Sequence, residues 1–291
     1  MRIKKSFGEI CFDVFNVVLM LLLIFVTLYP VWYVFVASLS SGAAVTNGDV
    51  VWWIKDFELE AYARLLRDDS IWIAYANTIF YSVVGTAFSV ALTALGAYVL
   101  SKKRLRGRKF FNGFILLSMW FTAGQIPTYI NMRNLNLLDS RLGMILFGGV
   151  ATFYVILMRT YFESIPDSME EAAKIDGASD FQIFAKVYLP LSVSSIVTIA
   201  LYYFVMRWSS YFWAMILIKD PNKIPLQVLL KKAIVEMSAN NSELANIDYS
   251  VTSRETTIYA TIIISTLPML IIYPFIQKFF VKGVMIGAVK G

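Results

Sequence analysis

Glu171-Ala172-Ala173-Lys174-Ile175-Asp176-Gly177, followed nine residues later by Val187-Tyr188-Leu189-Pro190, is a polar stretch wedged between long apolar runs. Ser168-Met169-Glu170-Glu171 has the spacing of a capping box: the Ser168 hydroxyl accepts from the Glu171 N–H, and the Glu171 carboxylate reaches back to Ser168. This predicts a short helix opening at Ser168. Gly177 is suited to the left-handed conformation that stops it, and Ser179-Asp180-Phe181-Gln182 is a second box, opening a helix that ends before Pro190. The stretch reads helix, bend, helix. Glu170, Glu171, Lys174 and Asp176 are charged while Met169, Ala172, Ala173 and Ile175 are small or apolar, so part of the surface is close-fitting and part is solvated. An ordinary polar loop is the simpler reading of the same residues.

The surrounding chain calls for lipid. Of 291 residues, 58% are hydrophobic and only 16% charged, against the ~25% charged of soluble domains, and the mean hydropathy is +0.64. A helix needs ~20 apolar residues to cross the hydrocarbon, and charge-free runs long enough occur at 14–48, 70–101, 110–132 and 256–277. Two more spans are expected at 142–158, between Arg141 and Arg159 whose stems can snorkel, and at 187–218, interrupted only by Arg207. The expected fold is an all-α polytopic membrane protein of six helices, forming one domain over 1–291.

Lys102, Lys103, Arg104, Arg106, Arg108 and Lys109 cluster without an acid, and basic residues mark both ends, so these segments are expected in the cytoplasm. The loop at 49–69 carries six acids and is expected outside. With an even number of spans both termini are cytoplasmic, and so is the Glu171 loop, although its acidity fits the positive-inside rule poorly. The 26 basic residues against 20 acidic ones therefore reflect topology, and nucleic-acid binding is not expected. The first apolar run continues through Tyr29-Pro30-Val31, longer than the ~7–15 residues of a signal peptide core, and reads as an uncleaved span with a proline kink. Cys11, a single cysteine, cannot form an internal disulfide.

With no histidine, the chain has no His-based triad, imidazole metal site or histidine proton relay. A Gly-x4-Gly-Lys-Ser/Thr phosphate loop is missing, so no cofactor is expected on this chain. Acidic residues are missing from the expected span interiors, which disfavours a proton- or sodium-coupled carrier.

Gly85, Ser89, Thr93 and Ala97 recur every four residues in the second run and predict a ridge that another helix can approach closely. Asn77 and Tyr81 share a face and are expected to hydrogen-bond across helices, as are Gln125, Thr122 and Thr128. Pro225 begins an amphipathic surface helix, with Leu226, Leu229, Leu230, Ala233, Ile234 and Met237 opposite Lys231, Lys232 and Glu236.

The pattern Glu-Ala-Ala, three residues, Gly, nine residues, an aliphatic, one residue and Leu-Pro resembles the EAA loop of inner-membrane permeases of binding-protein-dependent ABC importers, with Val187 where that family usually has Ile. Asn77-Thr78, Ala97-Tyr98-Val99-Leu100-Ser101-Lys102, Trp208-Ser209-Ser210-Tyr211-Phe212 and the tail from Tyr273 through Gly291 are similar to carbohydrate permeases of the maltose-transporter type, in the branch serving larger oligosaccharides. The resemblance implies a type I importer fold in a bacterial inner membrane, paired with a second, homologous permease subunit. It also implies two ATP-binding subunits carrying ATP and Mg, and an extracytoplasmic sugar-binding protein. Within the loop at 163–190, Glu170, Glu171, Ala172, Ala173, Asp176, Gly177, Leu189 and Pro190 would couple to the ATPases; in the cytoplasmic tail at 278–291, Val289, Lys290 and Gly291 would touch them. These roles are mechanical, not catalytic. A secondary sugar transporter and a membrane assembly scaffold are the alternatives.

The sequence departs from the family at Arg207 and Ser209. Tyr203, Arg207, Ser210 and Tyr211 are expected on one helical face, with Trp208 nearby, as candidates for the substrate pathway. Two readings of Arg207 stand: it pairs with carbonyls or with a carboxylate of the partner permease, or it lines the cavity and binds the carboxylate of an acidic, uronate-containing oligosaccharide bidentately.

Overall fold

The computed structural model describes residues 6–238 and 254–288. Val289, Lys290 and Gly291 lie outside the described residues. Helices dominate, and no strand occurs among the described residues beyond an isolated bridge between Ser40 and Phe57. The described residues fall into two compact units, one drawn from 6–68, 232–238 and 254–268 and the other from 69–231 and 269–288.

The first unit holds α1 (Phe7–Ser38), α2 (Gly42–Thr46) and α3 (Glu60–Arg67). Helix α1 runs unbroken through Pro30 and is exposed along nearly all its apolar length, the surface of a helix whose solvent is lipid. It stops at Ser38, ten residues short of the run at 14–48. Val36 and Ala37 in its last turn pack with Ala44, Val45 and Val50 into a small core, and Tyr33 meets Tyr259 edge-on at 5.8 Å.

The second unit is built on α4 (Asp69–Ser101), the element closest to its expected bounds. Three of the expected membrane runs are less simple. The run at 110–132 is two helices, α5 (Arg108–Trp120) and α6 (Gln125–Asn134), and that at 142–158 is α7 (Arg141–Leu146) and α8 (Thr152–Glu163). Helix α9 (Asp167–Ile175) precedes a composite helix: α10 (Asp180–Ile183), a π turn over Phe184–Tyr188, and α11 (Leu189–Leu191). At Ser192 the axis bends by 83° into α12 (Val193–Trp208), and α13 (Phe212–Leu217) follows. The fifth run is therefore broken twice. Helices α14 (Leu226–Ser238) and α15 (Arg254–Ala288) follow, and α15 includes 278–288, the described part of the expected tail. Among the described residues three continuous helical stretches, Phe7–Ser38, Asp69–Ser101 and Arg254–Pro274, are long and apolar enough to cross a membrane, and the bent pair 180–191 and 193–208 supplies a fourth candidate.

Side-chain bonds to backbone hold the irregular segments, as buried polar groups require. Asn77 donates to the Asn222 and Ile224 carbonyls and accepts from Arg141, and Tyr81 donates to the Lys223 carbonyl at 2.8 Å. The Leu226 N–H donates to Thr78, so the first turn of α14 belongs to the core, with Leu226 and Val228 buried, and only its later turns fit the expected surface helix. Thr128 bonds back to the Gly124 carbonyl at the start of its own helix at 2.6 Å, a local bond in place of the crossing expected for the Gln125 group.

Candidate functional site

The acidic loop is folded against the basic one. Pro166 stands at the start of α9 and Asp167 is its first residue, so Ser168 is already helical and the Ser168–Glu171 box does not form. Proline fixes the entry two residues before that box could act. The end of α9 follows expectation: Gly177 has φ +75°, its N–H donates to Lys174, and the Ala178 N–H donates to Ala173, the paired bonds of a Schellman stop. The second box is present, with Gln182 N–H to the Ser179 hydroxyl at 3.3 Å and Ser179 N–H to the Gln182 side chain at 2.8 Å. The helix does not end before Pro190. The π turn resets the register so that proline falls in the first turn of α11, where its missing N–H leaves no gap.

Glu170, rather than Glu171, is the hub. Its carboxylate meets Lys102 at 2.5 Å and Lys174 at 2.6 Å, and accepts from the Tyr188 hydroxyl at 2.9 Å. The Lys102 ammonium lies 3.9 Å from the ring centre of Tyr98 and 3.8 Å from that of Tyr188, a cation boxed by aromatic faces and one carboxylate. Around this centre Lys103 pairs with Asp167 at 2.5 Å, Arg104 with Asp180, and Arg108 with Glu163 at 2.5 Å. Burial acts to raise the pKa of Glu170, but the hydrogen bonds from Lys102, Lys174 and Tyr188 and the charge of Lys102 outweigh it, taking it down to about 2. Burial pushes Lys102 down from the usual lysine value against the pull of Glu170. Every acid that made the loop an exception to the positive-inside rule, save Glu171 and Asp176, thus faces a base of the 102–108 segment. Ala173, Leu189 and Val187 pack on the unit's core, while Glu171, Ala172, Asp176 and Pro190 are exposed, as are Ile175 (86%) and Phe181 (70%).

The five pathway candidates separate. Helix α12 ends at Trp208, so Ser210 and Tyr211 do not continue its face. Tyr203 is fully buried, its hydroxyl bonded to Thr93 at 2.8 Å and accepting from the Ala151 N–H at 2.9 Å. Trp208 is buried against Tyr75 and Phe204. Tyr211 is exposed. Arg207 and Ser210 line a cavity of about 280 Å³ together with Thr78, Tyr81, Phe147 and Trp213. Arg207 donates to the Met144 carbonyl (3.1 Å), the Ile145 carbonyl (3.0 Å) and the Ser89 hydroxyl (2.9 Å). No carboxylate is needed to hold it.

A family model for the inner membrane component of binding-protein-dependent transport systems matches residues 3–286. The chain belongs to this family. It is a multi-pass membrane transport subunit, not an enzyme. The chain is 36% identical, over 96% of its length and 98% of the relative's, to the polygalacturonan/rhamnogalacturonan transport system permease protein YtcP of Bacillus subtilis (strain 168). It is also similar to a chain in the crystal structure of a bacterial ABC transporter involved in the import of the acidic polysaccharide alginate, at 46% identity and a TM-score of 0.91, covering 96% of this chain and 100% of that one. A chain from a bacterial alginate ABC transporter in complex with an alginate pentasaccharide-bound periplasmic protein shares the fold alone, at 14% identity and a TM-score of 0.62 over 94% and 96% of the two chains.

Lys102 and Tyr188 escaped the sequence reading as parts of the Glu170 site. Lys102 stood out as one of six loop bases and as the end of the Ala97–Lys102 stretch, and 68 residues separate it from Glu170. Gly85 was read as a packing residue, yet a Cβ there would lie 2.5 Å from an Arg207 nitrogen, so it opens the space the guanidinium occupies.

Proposed function

We propose that this chain forms half of the translocation pathway of an ATP-driven importer for an acidic, uronate-containing oligosaccharide, and that its loop at 163–190 docks on the ATPase subunits. The observation that carries the reading is the α9-bend-α10 unit: clamped to the end of α4 through Glu170 and Lys102, it leaves Ile175, Asp176, Gly177 and Phe181 facing outward. An exposed apolar pair on a rigidly held polar loop is what a docking surface needs. In this reading Glu170 anchors the loop from within, and Glu171, Ala172, Asp176 and Gly177 form or shape the contact. Ala173, Leu189 and Pro190 seat the loop on the core and the bend.

The remaining assembly is a second homologous permease, two ATP-binding subunits holding ATP and Mg, and an extracytoplasmic sugar-binding protein. Six spans with cytoplasmic termini would set the loop on the ATPase side, and Val289, Lys290 and Gly291 would add a tail contact. Similarity to proteins named for alginate import and for polygalacturonan/rhamnogalacturonan transport supports the acidic sugar. In the cavity, Ser210, Tyr81 and Trp213 offer hydroxyls and an aromatic face suited to a sugar ring. The test is co-purification from the native membrane followed by ATPase assay. The reading expects ATP-binding subunits to come down with the chain and hydrolysis to rise with a binding protein loaded with uronate oligosaccharide; a chain purified alone from a gentle detergent would oppose it.

A further inference from the structure

The interrupted helix α7–α8 leaves backbone groups to be satisfied in an apolar region, a cost that irregular membrane segments avoid only by finding partners inside the protein. Two side chains of α12, one turn apart, meet that need from either side of the break. Arg207 donates to Met144 and Ile145, in the last turn of α7, where carbonyls lack intrahelical donors. Tyr203 accepts from Ala151, the residue that opens α8. Each is in turn held by α4, Arg207 by Ser89 and Tyr203 by Thr93, again one turn apart. The small-residue ridge is thus a ladder: α4 holds the rungs, α12 supplies them, and the break receives them.

The guanidinium's hydrogens are distributed for this task. Both bidentate edges of arginine use the Nη2 group, and its two hydrogens go to Ser89 and Ile145. Nε, the remaining member of one edge, is buried and has no protein partner among the described residues, so it presents no accessible hydrogen to a sugar carboxylate.

We propose that Tyr203 and Arg207 are positioning residues that staple the break at 147–151 as a wall of the sugar cavity, and that Gly85 is the notch admitting Arg207. The cavity's role rests on the importer reading; the staple does not. Arg207 thereby shapes the site without ligating the sugar.

The test compares Gly85→Ala, Arg207→Gln, Tyr203→Phe and the Gly85→Ala/Arg207→Gln pair in the full complex reconstituted in nanodiscs and in vesicles. Loss of a hydrogen bond is expected to raise amide exchange over 147–152 about tenfold in each single variant. The half-saturating concentration of a uronate oligosaccharide should rise several-fold with a smaller change in maximal uptake. The double variant should match Arg207→Gln, because both changes remove the same rung. Unchanged exchange in the singles, or losses that multiply in the double, would overturn the staple. If Gly85→Ala does not assemble, Ser89→Ala removes one bond without adding bulk: raised exchange supports the proposal and unchanged exchange overturns it. Exchange is read whatever the chain transports, so raised exchange in a complex that takes up no sugar would count against the importer reading alone.

Discussion

Lys102 and Glu170 are 68 residues apart in sequence and 2.5 Å apart in space, with 9% and 12% of their side chains exposed. Lys102 directly follows the last residue of α4, and Glu170 lies in the first turn of α9, within the loop proposed to dock. A pair this shielded leaves a costly unpaired charge when one member is removed, whereas replacing both removes the problem with the pair. The ion pair is therefore a joint that makes the loop move with α4.

Glu170→Gln and Lys102→Met should each destabilise the chain by about 2–3 kcal/mol, somewhat under the loss for a fully buried pair. The double replacement should recover part of that loss. Thermal unfolding of the purified chain in detergent, followed by gel filtration, checks the order; a double variant weaker than both singles would contradict it.

The pH dependence has a definite sign. Glu170 titrates near 2 when folded against an ordinary 4.5, so its contribution to stability is present above about 4.5 and is lost as pH falls toward 2. Unfolding midpoints measured between pH 6 and pH 3 should fall more steeply for wild type than for Glu170→Gln. Parallel curves would show that Glu170 does not carry this dependence.

Gly177 tests the bend by backbone conformation alone. No atom lies within 4 Å of where its Cβ would be, so a substitution meets only the φ of +75°. For Val the left-handed cost is about 1–2 kcal/mol, while Asn visits that region readily. Gly177→Val should keep expression and lose uptake and ATPase association; Gly177→Asn should retain most of both. Equal activity in the two variants would remove the bend from the account.

Much of this architecture could be read from residue order because it is local. The Ser179 box, the Gly177 stop and the 85–89–93 ridge depend on neighbours within one or two turns. The Ser168 box failed for a local reason too, since Pro166 starts the helix earlier. The broken runs were hidden because almost no charge marks the breaks: hydropathy scores Phe147-Gly148-Gly149 much as it scores a continuous span, and the partners bonded across that break sit on α12. The burial of Lys102 was invisible for a similar reason. Six bases within eight residues mark a loop expected in the cytoplasm, but only the fold selects the one enclosed by Tyr98 and Tyr188.

Orientation can be measured separately. In a Cys11→Ser background, a cysteine at Asp49 should react with a membrane-impermeant maleimide from outside intact cells, and one at Arg106 only after permeabilisation. The reverse pattern would put the docking loop on the wrong side for a cytoplasmic ATPase.

The most direct test of the central claim is uptake of a labelled uronate oligosaccharide into vesicles holding this chain, its partner permease, the ATPase pair and the loaded binding protein. The account predicts ATP-dependent accumulation with wild type, and, for Gly177→Val in the same vesicles, little uptake and poor ATPase association despite normal insertion. Full uptake with Gly177→Val, or wild-type uptake that proceeds without ATP, would contradict it.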